Sequence, residues 1–420
     1  MRTETGTTVR LADYAPAPYS APEVMLMVSL HPQSTVVRNT TQYVPQSADA
    51  GPLVLAGDGL QLTGVELDGA ALGEGSYEAT PDRFVLKSPP SKPFSLTLTT
   101  VVAPEDNTEL MGLYRSGGVY CTQCEAEGFR RITYAYDRPD VLSVYDVWIL
   151  SDGPDKVPLL SNGNLVGEGI IDGKPWAQWH DPFPKPTYLF ALVAGPLGVV
   201  RDTFATMSGR RVNLAIYVEP GKEDRAEFAM EALKASMRWD EERFGREYDL
   251  DVFNIVAVST FNMGAMENKG LNVFNDRYVL ADPDIATDGD YGNIEAVIAH
   301  EYFHNWTGNR ITCRDWFQLC LKEGLTVYRD QEFTSDMRSR GVKRVEDAKR
   351  LRSAQFREDA SPLRHPVRPD AYDEISNLYT ATVYEKGSEL VRMIATLVGE
   401  KAFREGMDRY FLAQDGQAAT

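Results

Sequence analysis

Two of the five histidines in this 420-residue chain stand four positions apart, in His300-Glu301-Tyr302-Phe303-His304. On a helix that spacing puts both imidazoles on one face, a turn apart, where they can share a Zn²⁺ ion. Glu301 lies beside them, able to take a proton from a water whose pKa a bound zinc lowers towards ~7. Two histidines are one ligand short of what a catalytic zinc usually takes from protein, so a third must come from elsewhere. Glu323 meets that need: 18 residues separate it from His304, enough for a turn and an antiparallel return. A His/His/Glu set leaves the fourth tetrahedral position open for water. Asp330, seven residues after Glu323 and two turns along the same face, is placed to hydrogen-bond a ligand imidazole or to form a surface ion pair. The five-residue string alone also fits a solvated helix face, where His and Glu are common.

These residues need elements to hold them. Ile294, Val297 and Ile298 make an apolar stripe ahead of the histidines, with Asp290 as the expected cap, and Trp316–Phe333 is patterned as a second helix. Met230, Leu233, Met237 and Phe244 repeat at helical spacing up to a stop at Gly245, and Val252–Val258 is strand-like. The region 196–420 is therefore expected to be α+β and mostly helical. Before it, residues 22–195 hold short β-branched and aromatic runs between Gly, Pro, Asp and Asn, including Ser95–Val102, Val141–Leu150 and Trp176–Trp179, and predict an all-β domain. Val24–Leu30 is the expected first strand, after a polar arm over residues 1–21, and Tyr188–Val200 is the expected last one. Val342–Arg357 mixes charges of both signs and predicts a solvated helix face, and Ser361–Pro369, with three prolines, predicts an extended surface run. Thr420 has the character of a helix cap at the end of the chain, which points to a truncated protein.

Composition narrows the function classes. Hydrophobic residues at 43% and charged residues at 25% are those of a globular protein, and the net charge of −18 repels phosphate backbones and anionic membranes, so no nucleic-acid partner is expected. No apolar stretch is long enough to span a bilayer, and no signal peptide is apparent. Four cysteines are too few for a disulfide framework, which suits a cytoplasmic address. Cys121 and Cys124 could form a redox pair or half a zinc knuckle; buried thiols are the plainer reading.

With Gly264-Ala265-Met266-Glu267-Asn268 ahead of the zinc motif, the chain resembles the gluzincin aminopeptidases. NKGLNVFN, HNWTGNRITCRDWFQL and KEGLTVYRDQEF are similar to the bacterial aminopeptidase N branch, and the likeness runs across nearly the whole chain. The resemblance implies a saddle-like β sandwich followed by a thermolysin-like zinc peptidase domain, cut short at its C-terminal end. It also implies one Zn²⁺ per chain, held by His300, His304 and Glu323, and peptide substrates with a free N-terminus. Glu301 would be the general base and Tyr384 the stabiliser of the oxyanion. Glu267 and Glu125 would anchor the substrate α-amino group, a cation below its pKa of about 8. Gln123 and Met263 would shape the first pocket, and Gly264, Ala265, Met266 and Asn268 belong to an edge strand that pairs with extended substrate. Tyr379 and Asn377 are weaker site candidates. Further C-terminal domains would pack on the catalytic domain, so this chain by itself is expected to bind zinc but to be slow, unstable or prone to associate. The rivals are an endopeptidase or an epoxide hydrolase relative, and a peptide-binding module with a vestigial metal site. The first lacks the amine anchor or carries Gly at Ala265, and the second would have lost catalytic residues that are present here.

Overall fold

The structure is a computed structural model and describes residues 8–420, so the first third of the predicted N-terminal arm lies outside the described residues. Within the arm, Val9–Arg10 already forms a short strand, paired with Ala371–Tyr372. The long strand that follows is Tyr19–Ser29, which begins earlier than the apolar run alone indicates.

In that strand Val24, Leu26 and Val28 are buried while Met25 and Met27 face outward, the alternation of a sheet with one face on a core. It lies inside an eight-stranded sheet whose spatial order is Asn164–Ile171, Lys174–Lys185, Ser143–Leu150, Tyr19–Ser29, Thr35–Pro45, Phe94–Val102, Gln61–Leu67 and Ala70–Ala71. A four-stranded sheet contains Gly112–Ser116, Val119–Gln123, Leu192–Ala194 and Leu159–Ser161, and its side chains share one core with the inner face of the larger sheet. A three-stranded sheet, Leu53–Ala56, Arg83–Leu86 and Tyr77–Thr80, covers a separate core around Tyr43, Phe84 and Phe94.

The apolar stretch Tyr188–Val200 is not one strand. Leu192–Ala194 belongs to the four-stranded sheet and Gly198–Ala205 to another, with Gly195 (φ +149°) and Pro196 between them. A backbone that must change sheets cannot continue a single ladder, and Gly and Pro mark the break. From Gly198 on, a five-stranded sheet runs in the order Gly198–Ala205, Arg211–Val218, Val252–Val258, Leu271–Asn275 and Ala265–Met266. Its middle three strands are parallel, and Ala265–Met266 is an edge strand, antiparallel to its neighbour.

Helices cover this sheet. Helix α1 (Glu227–Phe244) buries Met230, Leu233, Met237 and Phe244 and stops at Gly245. Helix α2 (Asp288–Phe303) carries the histidine motif, buries Ile294 and Ile298, and is capped by Thr287. Asp290 is the third residue of α2, and its carboxylate returns to the Thr287 amide, closing a capping box. The stretch Trp316–Phe333 is likewise divided: a tight turn, Trp316–Leu321, precedes α3 (Glu323–Met337), which starts at Glu323 itself. Helix α4 (Arg340–Arg350) passes through a wide turn, Leu351–Gln355, into the short α5 (Phe356–Asp359). A second wide turn, Thr382–Lys386, leads into α6 (Gly387–Val398), followed by α7 (Glu400–Gln414). Ala418–Ala419 then pairs with Thr312–Cys313.

All four cysteines are free thiols, three of them buried, and no metal-ligating cluster among the described residues includes a cysteine. Among the described residues no helix is long and apolar enough to cross a membrane.

Candidate active site

Helices α2 and α3 bring His300, His304 and Glu323 together. The His300 Nδ1 lies 2.7 Å from an Asp330 carboxylate oxygen, and the His304 Nδ1 lies 2.8 Å from the Thr307 carbonyl. Both partners are pure acceptors, so each Nδ1 carries a proton and each Nε2 is the nitrogen left to take a metal. Those Nε2 atoms are 3.0 Å apart, and Glu323 Oε2 stands 3.4 Å from each with no hydrogen-bond donor of its own. Three buried acceptors aimed at one point repel one another unless a cation lies between them. Tetrahedral ligands at about 2.0–2.1 Å from a zinc ion stand about 3.3–3.4 Å apart, so the donor set and spacing fit that metal. Asp330 thus holds the His300 imidazole from a buried position and not in a surface ion pair.

Around this point lies a cavity of about 1030 Å³, lined by Glu125, Met263, Gly264, Ala265, Glu267, Glu301, Asp330, Tyr379 and Tyr384 together with the three ligand candidates. Gln123, Met266 and Asn268 do not line it: all three are buried in the protein. Along this segment Ala265 and Glu267 line the cavity, while Met266 and Asn268 are buried away from it. The Asn268 amide donates to the Leu189 and Phe190 carbonyls, and Gln123 donates to the Glu125 carbonyl. Asn377 is not on the cavity wall either.

Tyr384 reaches the histidines because α3 and α6 touch at two glycines. A Cβ on Gly324 would stand 3.0 Å from the Gly387 backbone and 2.8 Å from the Cys320 sulfur. With no side chain at either position, the turn Thr382–Lys386 is drawn against the start of α3, and the Tyr384 ring lies parallel to that of His300, with 6.5 Å between centroids.

The residue missing from the sequence reading is Lys322. Its ammonium is 99% buried and contacts Glu125 at 2.7 Å, Glu267 at 2.7 Å and Glu323 at 2.5 Å, using all three donors on carboxylates. Glu125 comes from the β domain, so Lys322 ties that domain to the cavity floor; the Tyr379 hydroxyl adds a 3.0 Å bond to Glu125. Against the cost of burial, the three carboxylates hold the Lys322 pKa well above its usual value. Burial also opposes ionisation of Glu267 and Glu323, but Lys322 outweighs it, aided by His304, and both sit below the ordinary carboxylate range. Burial wins at Glu125 and Glu301, each pushed up to about 8. The only signal for Lys322 in the sequence was its place immediately before a ligand candidate.

The basic stretch after α3 has a second face. Helix α4 exposes Val342 and Val345, as a solvated helix does, yet Val342, Lys343, Glu346, Asp347 and Arg350 border the cavity.

The chain is similar to known proteins along nearly its whole length. Residues 74–189 match the Peptidase M1 N-terminal domain and residues 228–420 the Peptidase family M1 domain. Aminopeptidase N of Caulobacter vibrioides is 56% identical over all of this chain and 49% of its own length, and that of Escherichia coli 55% over 97% of this chain and 47% of its own. The crystal structure of Legionella pneumophila aminopeptidase A in complex with aspartic acid superposes with a TM-score of 0.91 at 35% identity, over 98% of this chain and 48% of that one. The chain spans about half the length of the curated relatives it matches. With both domains of the family pattern matched in order along it, the chain belongs to peptidase family M1.

Proposed function

We propose that this chain carries the catalytic centre of a zinc aminopeptidase that removes the N-terminal residue from peptides. The observation that carries the reading is the pairing of two features in one cavity. Three undonated acceptors converge on a cation position, and two further carboxylates, Glu125 and Glu267, face the cavity beside it. An endopeptidase has no use for the second feature.

Zinc, when bound by His300, His304 and Glu323, supplies Lewis-acid polarisation of the scissile carbonyl and a water of lowered pKa. Glu301 takes the proton of the attacking water and passes it to the leaving amine. Burial favours the protonated form of Glu301, and a divalent cation nearby favours the carboxylate, which together bring it into the range a general base needs. Tyr384, whose hydroxyl is held neutral by burial and by Glu323, donates to the oxygen on which negative charge develops. Glu125 and Glu267 each offer the free carboxylate capacity left by Lys322 to the substrate ammonium. The edge strand Ala265–Met266 offers backbone groups to extended substrate without reading its side chains, and Met263 adapts to the first one.

The same reading assigns broad specificity with Ala and basic residues favoured, one zinc per chain, no nucleic-acid or membrane partner, and a cytoplasmic address, supported by four unpaired cysteines. Helix α6 exposes Leu390, Met393, Ile394, Leu397 and Val398, an apolar face suited to further polypeptide of the kind the longer relatives carry. The test is hydrolysis of alanyl and arginyl amide reporters beside their N-acetylated forms, with metal content measured. Cleavage of free-amine substrates alone, lost on chelation and in Glu301→Gln, is expected; equal cleavage of acetylated substrates defeats the amine-anchor assignment.

A further inference from the structure

Tyr384 sits two residues into the wide turn Thr382–Lys386, and backbone N–H groups at the start of a helical segment have no partner within it. The Thr382 amide is one of these. Its acceptor is the Glu358 carboxylate on α5, at 2.7 Å, and the same oxygen accepts from the Thr382 hydroxyl at 2.6 Å. Thr382 is fully buried, and Gln355, also buried, donates to its hydroxyl at 3.4 Å. One turn later Lys386 meets Asp359, the neighbour of Glu358, at 2.8 Å. The α4–α5 segment therefore grips the Tyr384 turn at both ends, while Gly324 and Gly387 hold its far side against α3.

We infer that Glu358 is a positioning residue for the reaction: it fixes the register of the wide turn and so the place of the Tyr384 hydroxyl. A wide turn holds one more residue per hydrogen-bonded ring than an ordinary helix, and releasing its first amide lets it relax to the tighter form. That shift moves the Tyr384 side chain relative to the two histidines, and displacements of about 1 Å at a reacting centre cost large factors in rate. Glu358 touches neither the metal ligands nor the cavity wall, so its influence runs through Thr382 alone.

The inference rests on the role of Tyr384 proposed above, and a double-mutant cycle separates the two. Glu358→Ala is expected to lower kcat about tenfold, the worth of one hydrogen bond to a charged group, with KM changed less than about twofold. Glu358→Gln keeps an acceptor and restores most of the loss. In a Tyr384→Phe background Glu358→Ala has no further effect on kcat, because the group it positions is gone. An equal loss in both backgrounds, or a rise in KM at constant kcat, overturns the inference. A Tyr384→Phe variant with full kcat overturns the role of Tyr384 and the inference with it. Hydrogen exchange by mass spectrometry reads the tie without turnover: Glu358→Ala must speed exchange in the peptide over residues 380–387 and leave that over α2 unchanged, and unaltered exchange there refutes the tie itself.

Discussion

Replacing Lys322 by Met keeps the length of the side chain and removes the one cation among Glu125, Glu267 and Glu323. Carboxylate oxygens of those three residues lie within 4.8 Å of one another. At that separation two unit charges repel by about 3.5 kcal/mol even at an effective dielectric of about 20. With Glu125 already raised to about 8, most of that repulsion falls on the Glu267–Glu323 pair, and the loss settles near the ~3–5 kcal/mol typical of breaking a buried ion pair. For a chain of this size, unfolding as one unit, that is a fall of about 3–6 °C in Tm, and more if the two halves unfold separately. Calorimetry of the zinc-free protein measures it without the metal's own stabilisation. Adding Glu267→Gln to Lys322→Met removes one of the stranded charges and must recover part of the loss. A single variant within about one degree of the parent, or a double variant that is additive, refutes the view that Lys322 holds these acids by charge.

Glu301→Gln keeps the shape of the general base and removes its basicity, so kcat should fall by about 10²–10⁴ while KM and zinc stoichiometry stay near the parent values; loss of zinc instead would make Glu301 part of the metal set. Stripping the metal with a chelator should abolish hydrolysis, and restoring zinc to about 1,000 times its Kd should raise stability by about 4 kcal/mol, read as a Tm rise. Burial raises the pKa of Asp249, but Lys269 at 2.6 Å and Arg310 at 2.9 Å more than offset it and hold the carboxyl below its usual range. A depressed folded pKa means stability that is present above the unfolded value of about 3.9 and lost as pH falls through the folded one. Urea unfolding between about pH 6 and pH 3 should show that loss, and Asp249→Asn should be less stable at pH 6 with a flatter dependence below about pH 4.

The metal ligands were legible because helical geometry is periodic: four residues along α2 is one turn, and the interval to Glu323 is a turn and a return. Lys322 was not legible, because a lysine in a polar string is ordinarily solvated and only the three-dimensional meeting of two domains buries it. The cap of α2 was misplaced by one motif: the acid Asp290 is conspicuous, but a capping box puts the hydroxyl first and the carboxylate three residues later. The division of Tyr188–Val200 between two sheets lay in Gly195 and Pro196, which a count of apolar residues passes over.

Two of these failures, Lys322 and the division of Tyr188–Val200, fall where two domains meet, and that is where the proposed recognition of a substrate amine would be assembled. Glu267 comes from the edge of the catalytic sheet, Glu125 from the β domain, and Lys322 joins them. Other contacts cross the same boundary: the Tyr188 hydroxyl meets the Gly308 carbonyl at 3.1 Å and Thr312 at 2.8 Å, and Tyr114 donates to the Thr260 carbonyl, three residues before Met263. The candidate metal ligands, by contrast, lie on α2, at its C-terminal cap and on α3, and the groups bonded to His300 and His304 belong to the same half of the chain. Apart from Lys322, which also contacts Glu323, the proposed zinc affinity and amine selectivity therefore depend on different contacts. Loosening the boundary, as Tyr188→Phe would, should raise KM for free-amine substrates before it lowers zinc content. Loss of both in step would mean that the boundary supports the metal helices as well.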